Sequence, residues 1–227
     1  MKYKKTNEAE TELYSLFSVL LNLSKFTLSL ALNICEKRTE DELRSFKDIE
    51  NPLIFKKERK EFEEKILKWL SKNLEDILLI CDPYFCPEDM WLLKEINSIN
   101  HNCEVKILTS IKEQNKIREE SRSLQEVYSD YWFNQLSDQS PPRTEICISG
   151  YKDTDEFPVN LFPIHDRWLL TEDNCLGLGS SIKSMGGYRI SEIKNYSTKD
   201  SQARKRVVLF YINRNEREKI SYELIVL

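Results

Sequence analysis

Glycine, histidine and net positive charge are all scarce in this sequence. Only five of its 227 residues are glycine and two are histidine. So few glycines argue against a β-barrel or sandwich rich in tight turns. The formal net charge is −4 and the pI is about 5.5. This balance excludes a general nucleic-acid coat, which depends on Lys and Arg neutralising phosphates, but it leaves a local basic patch open.

An uninterrupted membrane span is also lacking. Residues 13–35 are long and apolar, yet polar residues recur in them at steps of three and four: Ser15, Ser18, Asn22, Lys25, Ser29 and Asn33. On a helix these side chains form one stripe, and Lys25 at mid-bilayer would cost roughly 2.5–3.5 kcal/mol. We therefore expect an amphipathic helix, not a transmembrane one. Its wide apolar face is predicted to pack against the main domain or a partner chain.

The six cysteines have no paired zinc-knuckle spacing. Four of them lie in or beside apolar runs that are typical of strands, where a free thiol behaves as a small hydrophobe. Buried thiols are therefore favoured over a zinc site built from Cys81, Cys86, His101 and Cys103. The polar beginning MKYKKTNEAETE does not suggest a signal peptide. We expect a cytoplasmic protein without metal or cofactor.

Hydrophobic periodicity predicts an α/β fold, with a mixed sheet flanked by helices over residues 54–227 and a helical extension and linker over residues 1–53. The predicted helices cover 57–76, 87–99 and 114–136. The predicted strands lie within 77–85, 103–110, 144–150, 206–214 and 222–227. Residues 162–182 are expected to form a strand, a turn and a second strand.

The stretch IHDRWLLTEDNCLGLGSSI, residues 164–182, carries the most specific pattern. It contains His165-x-Arg167, four residues, Glu172, six residues and then Gly179-Ser180. This resembles the phospholipase D superfamily signature: His-x-Lys, four residues, Asp, six residues and Gly-Ser-x-Asn. The resemblance implies that His165 attacks a phosphodiester and becomes a phosphohistidine. It also implies that Arg167 and the Ser180 hydroxyl hold phosphate oxygens, and that a second histidine protonates the leaving group.

The chemistry agrees with this spacing. Residues two apart on a strand share one face, so His165 and Arg167 can meet one phosphate. The Gly-Ser turn would offer backbone N–H groups at the start of a following helix. The candidate catalytic residues are thus His165, Arg167, Glu172 and Ser180. The candidate phosphate-binding residues are Arg167, Gly179, Ser180, Ser181 and Lys183, with Asp82 and Asp166 supporting them.

Three positions depart from the phospholipase D signature. Arg167 replaces Lys, Glu172 replaces Asp, and Ile182 stands where Asn is expected. Arginine still grips phosphate, and does so bidentately. However, it is a rigid fork in place of a point charge, which alters a site built for in-line attack.

A second resemblance covers residues 76–190. The blocks DPYF, CEVKILTS, SLQEV and IHDR occur in the order found in the phospholipase-D-like C-terminal domain of MIT-domain proteins. Members of that family also carry His-Asp-Arg. The resemblance implies a phospholipase-D-like fold, dimers, binding to membrane phosphoinositides and no hydrolytic activity.

Two functions from different classes follow. One is a module that binds a phosphodiester or phosphate-bearing partner, nucleic acid or anionic lipid, and acts as a scaffold with weak or lost catalysis. The other is a metal-independent phosphodiesterase or nuclease effector of a bacterial or phage defence system. Because phospholipase-D-type chemistry needs two histidines and this chain has one motif, catalysis would require a homodimer that brings two copies of His165 together.

Overall fold

A computed structural model describes residues 25, 27, 37, 53–54, 57–152, 158, 160–185, 187, 191–213 and 220–227. The chain divides into two compact units, residues 1–50 and 51–227. Of the predicted helix over 13–35, Lys25 and Thr27 are described. Both are helical and exposed. The rest of that prediction, including its apolar face, lies outside the described residues.

The second unit is built on a mixed sheet, which has eight strands in the described part of the chain. They are β1 (Leu53–Ile54), β2 (Ile77–Cys81), β3 (Glu104–Ser110), β4 (Thr144–Tyr151), β5 (Arg167–Leu170), β6 (Cys175–Leu178), β7 (Ser191–Tyr196) and β8 (Ile220–Val226). The order across the sheet is β1-β7-β6-β5-β2-β3-β4-β8. Strands β2, β3 and β4 are parallel, and every other pairing is antiparallel.

Helices cover both faces of this sheet. They are α1 (Arg59–Asn73), α2 (Trp91–Ile99), α3 (Ile111–Ile117), α4 (Leu124–Tyr131) and α5 (Thr198–Ile212). A 3₁₀ turn, Pro87–Met90, leads into α2, and a π-helical turn, Trp132–Leu136, ends α4. The predicted α/β class, a mixed sheet flanked by helices, is confirmed.

Alternating side chains of the strands feed two separate cores. On one face, Leu78 and Ile80 of β2 belong to a large cluster that includes apolar residues of α1, α2 and α4. On the other face, Leu79 and Cys81 belong to a smaller cluster with Val208 of α5. This alternation is the period of two that a strand buried on both sides requires.

The prediction of one long helix over residues 114–136 is wrong. Helix α3 ends at Ile117, and α4 begins at Leu124. The break arises at Ser123, whose hydroxyl accepts the Glu126 N–H at 3.2 Å while the Glu126 carboxylate accepts the Ser123 N–H at 2.7 Å. This reciprocal capping box starts a new helix inside the predicted one.

The prediction of a strand in RVVLFYINR, residues 206–214, is also wrong, because residues up to Ile212 belong to α5. Its β-branched and aromatic residues favour a strand locally. However, the Ser197 hydroxyl accepts the Asp200 N–H at 3.3 Å and begins a helix. Val208 and Ile212, four residues apart, then face the sheet together.

Candidate phosphate site

The His-x-Arg pair lies where the carboxyl end of β2 meets the beginning of antiparallel β5. Cys81, the last residue of β2, pairs with Trp168, the neighbour of Arg167. His165 is exposed and Arg167 is half-buried. Both line two adjoining clefts of about 230 and 370 Å³. The carboxyl edge of a parallel sheet is where ligands bind in α/β folds, so the motif occupies a suitable place.

Arg167 has a positive charge that protein groups leave largely unmatched. Its Cζ lies 5.1 Å from the centre of the Tyr84 ring, a cation–π contact. Its Nε is buried and has no hydrogen-bond partner among the described residues. A buried donor without an acceptor is unfavourable by about 1–3 kcal/mol. An anion arriving from the cleft would supply that acceptor.

Asp82 connects the two loops that flank Arg167. Its side chain is fully buried. One carboxylate oxygen accepts the Tyr84 N–H at 2.9 Å, and the other accepts the Ile182 N–H at 2.8 Å. Burial raises the pKa of Asp82, although both hydrogen bonds and the nearby Arg167 charge act in the opposite direction. Asp82 is therefore a structural clamp with both oxygens occupied.

The loop that carries Tyr84 is fixed from below by polar core residues. Gln114 Nε2 donates to the Phe85 carbonyl at 2.7 Å, and the Tyr128 hydroxyl donates to the same carbonyl at 3.3 Å. Gln114 and Tyr128 are both fully buried. Because buried polar groups with satisfied partners rigidify their surroundings, Tyr84 is held in a defined position beside Arg167.

The Gly-Ser turn is organised differently from the prediction. The predicted helix start after Ser180 is wrong for the residues described there, since Ile182–Met185 form a turn before β7. The Asp82 carboxylate binds the N–H of Ile182, and the Arg59 side chain donates to its carbonyl. These two long-range contacts hold the backbone as a turn. The helix N-terminus expected as an anion site is not formed by these residues.

The structure brings some of the predicted site residues together and separates others. His165, Asp166, Arg167 and Gly179 line one cleft. Ser180, Ser181, Lys183 and Glu172 are not among the described residues that line either of the two clefts.

The predicted residues outside the clefts have protein partners. The Ser180 hydroxyl accepts from Ser191 Oγ at 3.1 Å and donates to the Met185 sulfur at 3.5 Å. The Ser181 and Ser184 hydroxyls are 2.7 Å apart. Two further residues form ion pairs: Lys183 with Glu88 at 3.2 Å and Glu172 with Lys205 at 3.6 Å.

Position 182 explains one departure from the signature. Ile182 is fully buried in the larger core. Its side chain thus packs among apolar groups, while its backbone N–H is used by Asp82. The residue that stands in place of the signature asparagine is part of the packing and faces no cleft.

The second histidine lies far from the first. His101 is in the exposed turn between α2 and β3, with Nδ1 3.0 Å from Asn97 Oδ1. Strand β3 runs from this turn toward the edge where His165 lies, and its seven residues span roughly 20 Å. His101 therefore cannot serve the same phosphate as His165 within one chain.

Several cleft residues were missed by the sequence reasoning. Tyr84, Lys112 and Phe162 line the larger cleft, and Lys194 and Tyr196 line the smaller one. Lys194 and Tyr196 come from β7 and reach the cleft only through the β6–β7 pairing. Tyr84 had a signal, since it follows the Asp-Pro pair that ends β2.

Cysteines and metal-ligating residues add no second centre to the described structure. Cys81, Cys86, Cys103, Cys147 and Cys175 are free and buried, as predicted for these five thiols. Among the residues with described positions, no group of three or more His, Cys, Asp or Glu side chains is placed to hold a metal ion. No helix in that same part of the chain is long and apolar enough to cross a membrane.

No protein-family model and no curated protein sequence matches this chain. Three solved structures are similar in fold. NucT from Helicobacter pylori is 13% identical over 72% of this chain and 95% of its own, with a TM-score of 0.50. TrmBL2, an archaeal chromatin protein, is 10% identical over 91% and 67%, with a TM-score of 0.43. Phosphatidylserine synthase from Haemophilus influenzae Rd KW20 is 15% identical over 81% and 42%, with a TM-score of 0.46.

The similarity to NucT extends over nearly all of that protein and concerns the fold alone at this identity. It agrees with the mixed sheet and with the position of the His-x-Arg pair at its edge. The chain therefore has a phospholipase-D-like fold.

Proposed function

We propose that this protein binds a phosphate-bearing partner, with a phosphate of a phosphodiester held between His165 and Arg167. The supporting observation is the half-buried Arg167 guanidinium, whose Nε has no hydrogen-bond partner among the described residues. A guanidinium matches two phosphate oxygens at once. His165 beside it is exposed to the same clefts and adds a second donor.

Binding is favoured over turnover by what surrounds this pair. The signature asparagine is replaced by the fully buried Ile182. The Ser180 hydroxyl is hydrogen-bonded to Ser191 and Met185, so that a phosphate would have to displace these partners. Catalysis by such a fold depends on several groups held in register around one phosphorus. We therefore assign the protein a scaffold or accessory role with weak or lost catalysis.

Substitution of Arg167 tests this proposal. Arg167→Ala should weaken binding of a phosphodiester ligand by roughly 10- to 100-fold, because charge-assisted hydrogen bonds contribute about 1.5–3 kcal/mol. Arg167→Lys should retain part of the affinity, since it keeps the charge and loses the fork. Titration calorimetry with dimethyl phosphate, and fluorescence anisotropy with a labelled oligonucleotide, would measure both changes.

Arg143→Ala is the matched control. Arg143 is exposed and precedes β4, at the edge of the sheet opposite to His165. Its replacement removes the same charge and should leave the affinity unchanged. Equal losses for Arg143→Ala and Arg167→Ala would refute a local site. An unchanged affinity in Arg167→Ala would refute the role of Arg167.

A phosphodiesterase or nuclease is the second candidate, and the exposure of His165 beside Arg167 favours it. An imidazole nitrogen of His165 would attack phosphorus, forming a P–N bond as the P–O bond to the leaving group breaks. The leaving oxygen must take a proton from a second histidine, and water would then cleave the P–N bond. Since His101 lies at the far edge, the second histidine must come from another copy across a two-fold axis.

Cleavage assays on the full chain separate the two candidates. If the enzyme is active, His165→Ala should abolish cleavage of DNA, RNA or lipid phosphodiesters without lowering the melting temperature, and chelators should have no effect. Light scattering should then show a dimer. A strict monomer at micromolar concentration, or cleavage that persists in His165→Ala, would remove this candidate. A role in antiviral defence belongs to this second candidate, whereas docking of a partner protein through residues 13–35 is compatible with either.

A further inference from the structure

A second cluster of aromatic and cationic side chains lies on the α5 face of the sheet, next to the phosphate site. Tyr196 of β7 is half-buried, and its ring covers Gly177 of β6, where an added Cβ would lie 2.6 Å from Tyr196 Cε2. The Arg204 guanidinium from α5 stacks on that ring, with Cζ 3.6 Å from its centre. Lys194 Nζ is 5.3 Å from the same centre, and Lys194 is exposed.

This cluster has an unmatched cationic group of its own. Arg204 Nε is buried without a hydrogen-bond partner in the described part of the chain, while its Nη1 donates to the Asp200 carbonyl at 3.1 Å. Neither Arg204 nor Lys194 forms an ion pair with a carboxylate among the described residues. Asp166 and Glu192 also line the cleft, so its cationic part is the Lys194 and Arg204 side.

The cluster is continuous with the His165–Arg167 pair. Lys194, Tyr196 and Gly177 line the same cleft as His165 and Arg167. The larger cleft on the other side of His165 contains a second exposed aromatic ring, Tyr84, which is 45% exposed. Strands β2 and β7, which carry or precede the two tyrosines, are three strand spacings apart, or about 14 Å.

The spacing distinguishes between ligands. A free phosphate or a single lipid headgroup fills one position and does not reach both rings. A single-stranded nucleic acid repeats a phosphate and a planar base along an extended chain, and aromatic rings next to cations are the groups that bind it without sequence preference. We infer that Lys194, Tyr196 and Arg204 form a second subsite, which holds a base and a phosphate of a single-stranded nucleic acid whose neighbouring phosphate lies at His165 and Arg167.

This inference rests on the proposed function, and it makes the ligand a polymer. The acidic net charge of −4 is compatible with it, because the cations are gathered at one edge of the molecule. Affinity should therefore grow with the length of the oligonucleotide beyond the two or three nucleotides that one cleft accommodates. It should also fall as salt rises, since each neutralised phosphate releases counterions.

Binding of a labelled oligothymidylate 12-mer by the full chain tests the second subsite. Lys194→Ala should weaken binding several-fold and reduce the slope of log K against log salt by about 0.7, the value for one phosphate of a single strand. Tyr196→Leu should weaken binding roughly 5- to 150-fold through lost stacking. Neither variant should change the affinity for dimethyl phosphate, which occupies only the first position.

Lys72→Ala is the charge-matched control, because Lys72 is exposed in the last turn of α1, before β2 begins at the opposite edge. The Tyr196→Leu comparison is made only if its melting temperature is near that of the natural chain, and Lys194→Ala carries the test otherwise. If Lys194→Ala binds the 12-mer as Lys72→Ala does, the second subsite is refuted. If Arg167→Ala still weakens binding in that case, the proposed function stands without it.

Two further outcomes bear on the ligand. Equal affinity for a dinucleotide and the 12-mer would overturn the polymer inference. Binding to vesicles that contain phosphatidylserine, with none to the 12-mer, would also overturn it and would assign the first site to a lipid headgroup. Tight binding of the 12-mer that depends on both Arg167 and Lys194 is the result we expect.

Discussion

The loop between β2 and α2 contains a buried carboxyl group whose ionisation should control stability between pH 5 and pH 8. Asp89 is 1% exposed, and its carboxylate accepts the Cys86 N–H at 3.1 Å and the Cys86 S–H at 3.2 Å. Burial, followed by the nearby negative charge of Asp82, raises the pKa of Asp89 to about 7. Asp89→Asn keeps an acceptor for Cys86 and removes the charge.

The sign and the size of the effect follow from linkage. Because the pKa of Asp89 is higher in the folded chain than in the unfolded one, the folded state binds the proton more tightly. The stabilisation is complete below the unfolded pKa near 4 and is lost as pH rises toward 7. Between pH 5 and pH 8 the loss for Asp89 amounts to about 3 kcal/mol, at about 1.4 kcal/mol per pH unit below the folded pKa.

Urea denaturation at pH 5 and pH 8 measures this difference. The free energy of unfolding of the natural chain should fall between these pH values by about 3 kcal/mol more than that of Asp89→Asn. Asp82, whose pKa is also raised by burial, contributes equally to both proteins and cancels in the comparison. Asp130→Asn, at an acid whose side chain is 60% exposed and paired with Arg122, is the control. The reasoning is refuted if Asp89→Asn retains the pH dependence of the natural chain.

Two further substitutions probe the packing around the site. Ile182→Asn, which restores the signature residue, should lower the free energy of unfolding by about 3–5 kcal/mol, because it puts an amide into a fully buried apolar position; a gain of phosphodiesterase activity without loss of stability would contradict this, and Ile99→Asn, at a 40% exposed position, is the control. Gly177→Ala should destabilise by about 1–3 kcal/mol, since the Tyr196 ring must move away from the new Cβ; an unchanged melting temperature would show that Tyr196 does not lie over Gly177.

Local patterns were sufficient for the strands that carry the motif. The apolar run after α1 predicts β2, and the two-residue period of His165 and Arg167 predicts a shared strand edge. By contrast, α5 and the break before α4 depend on the caps at Ser197 and Ser123, whereas runs of β-branched or helix-forming residues dominate the local pattern.

The site was predictable in its first half only. His165 and Arg167 are neighbours in sequence, so their proximity follows from spacing. The partners of the Gly-Ser turn come from distant parts of the chain: Asp82 binds Ile182, and Ser191 binds Ser180. A residue's spacing to its own motif does not reveal such long-range hydrogen bonds. The same is true of Tyr196, which reaches the cleft through strand pairing.

The two histidines of this chain make one measurement especially informative. His165 lines the clefts beside Arg167, whereas His101 lies in an exposed turn at the opposite edge of the sheet. Imidazole ¹⁵N spectra of the histidine-labelled protein should therefore show the His165 signals shifting on titration with dimethyl phosphate, while the His101 signals stay in place. In Arg167→Ala the His165 shift should disappear at the same ligand concentration. Shifts of equal size for both histidines, or none at His165 while phosphodiester binds, would contradict a phosphate site at His165 and Arg167.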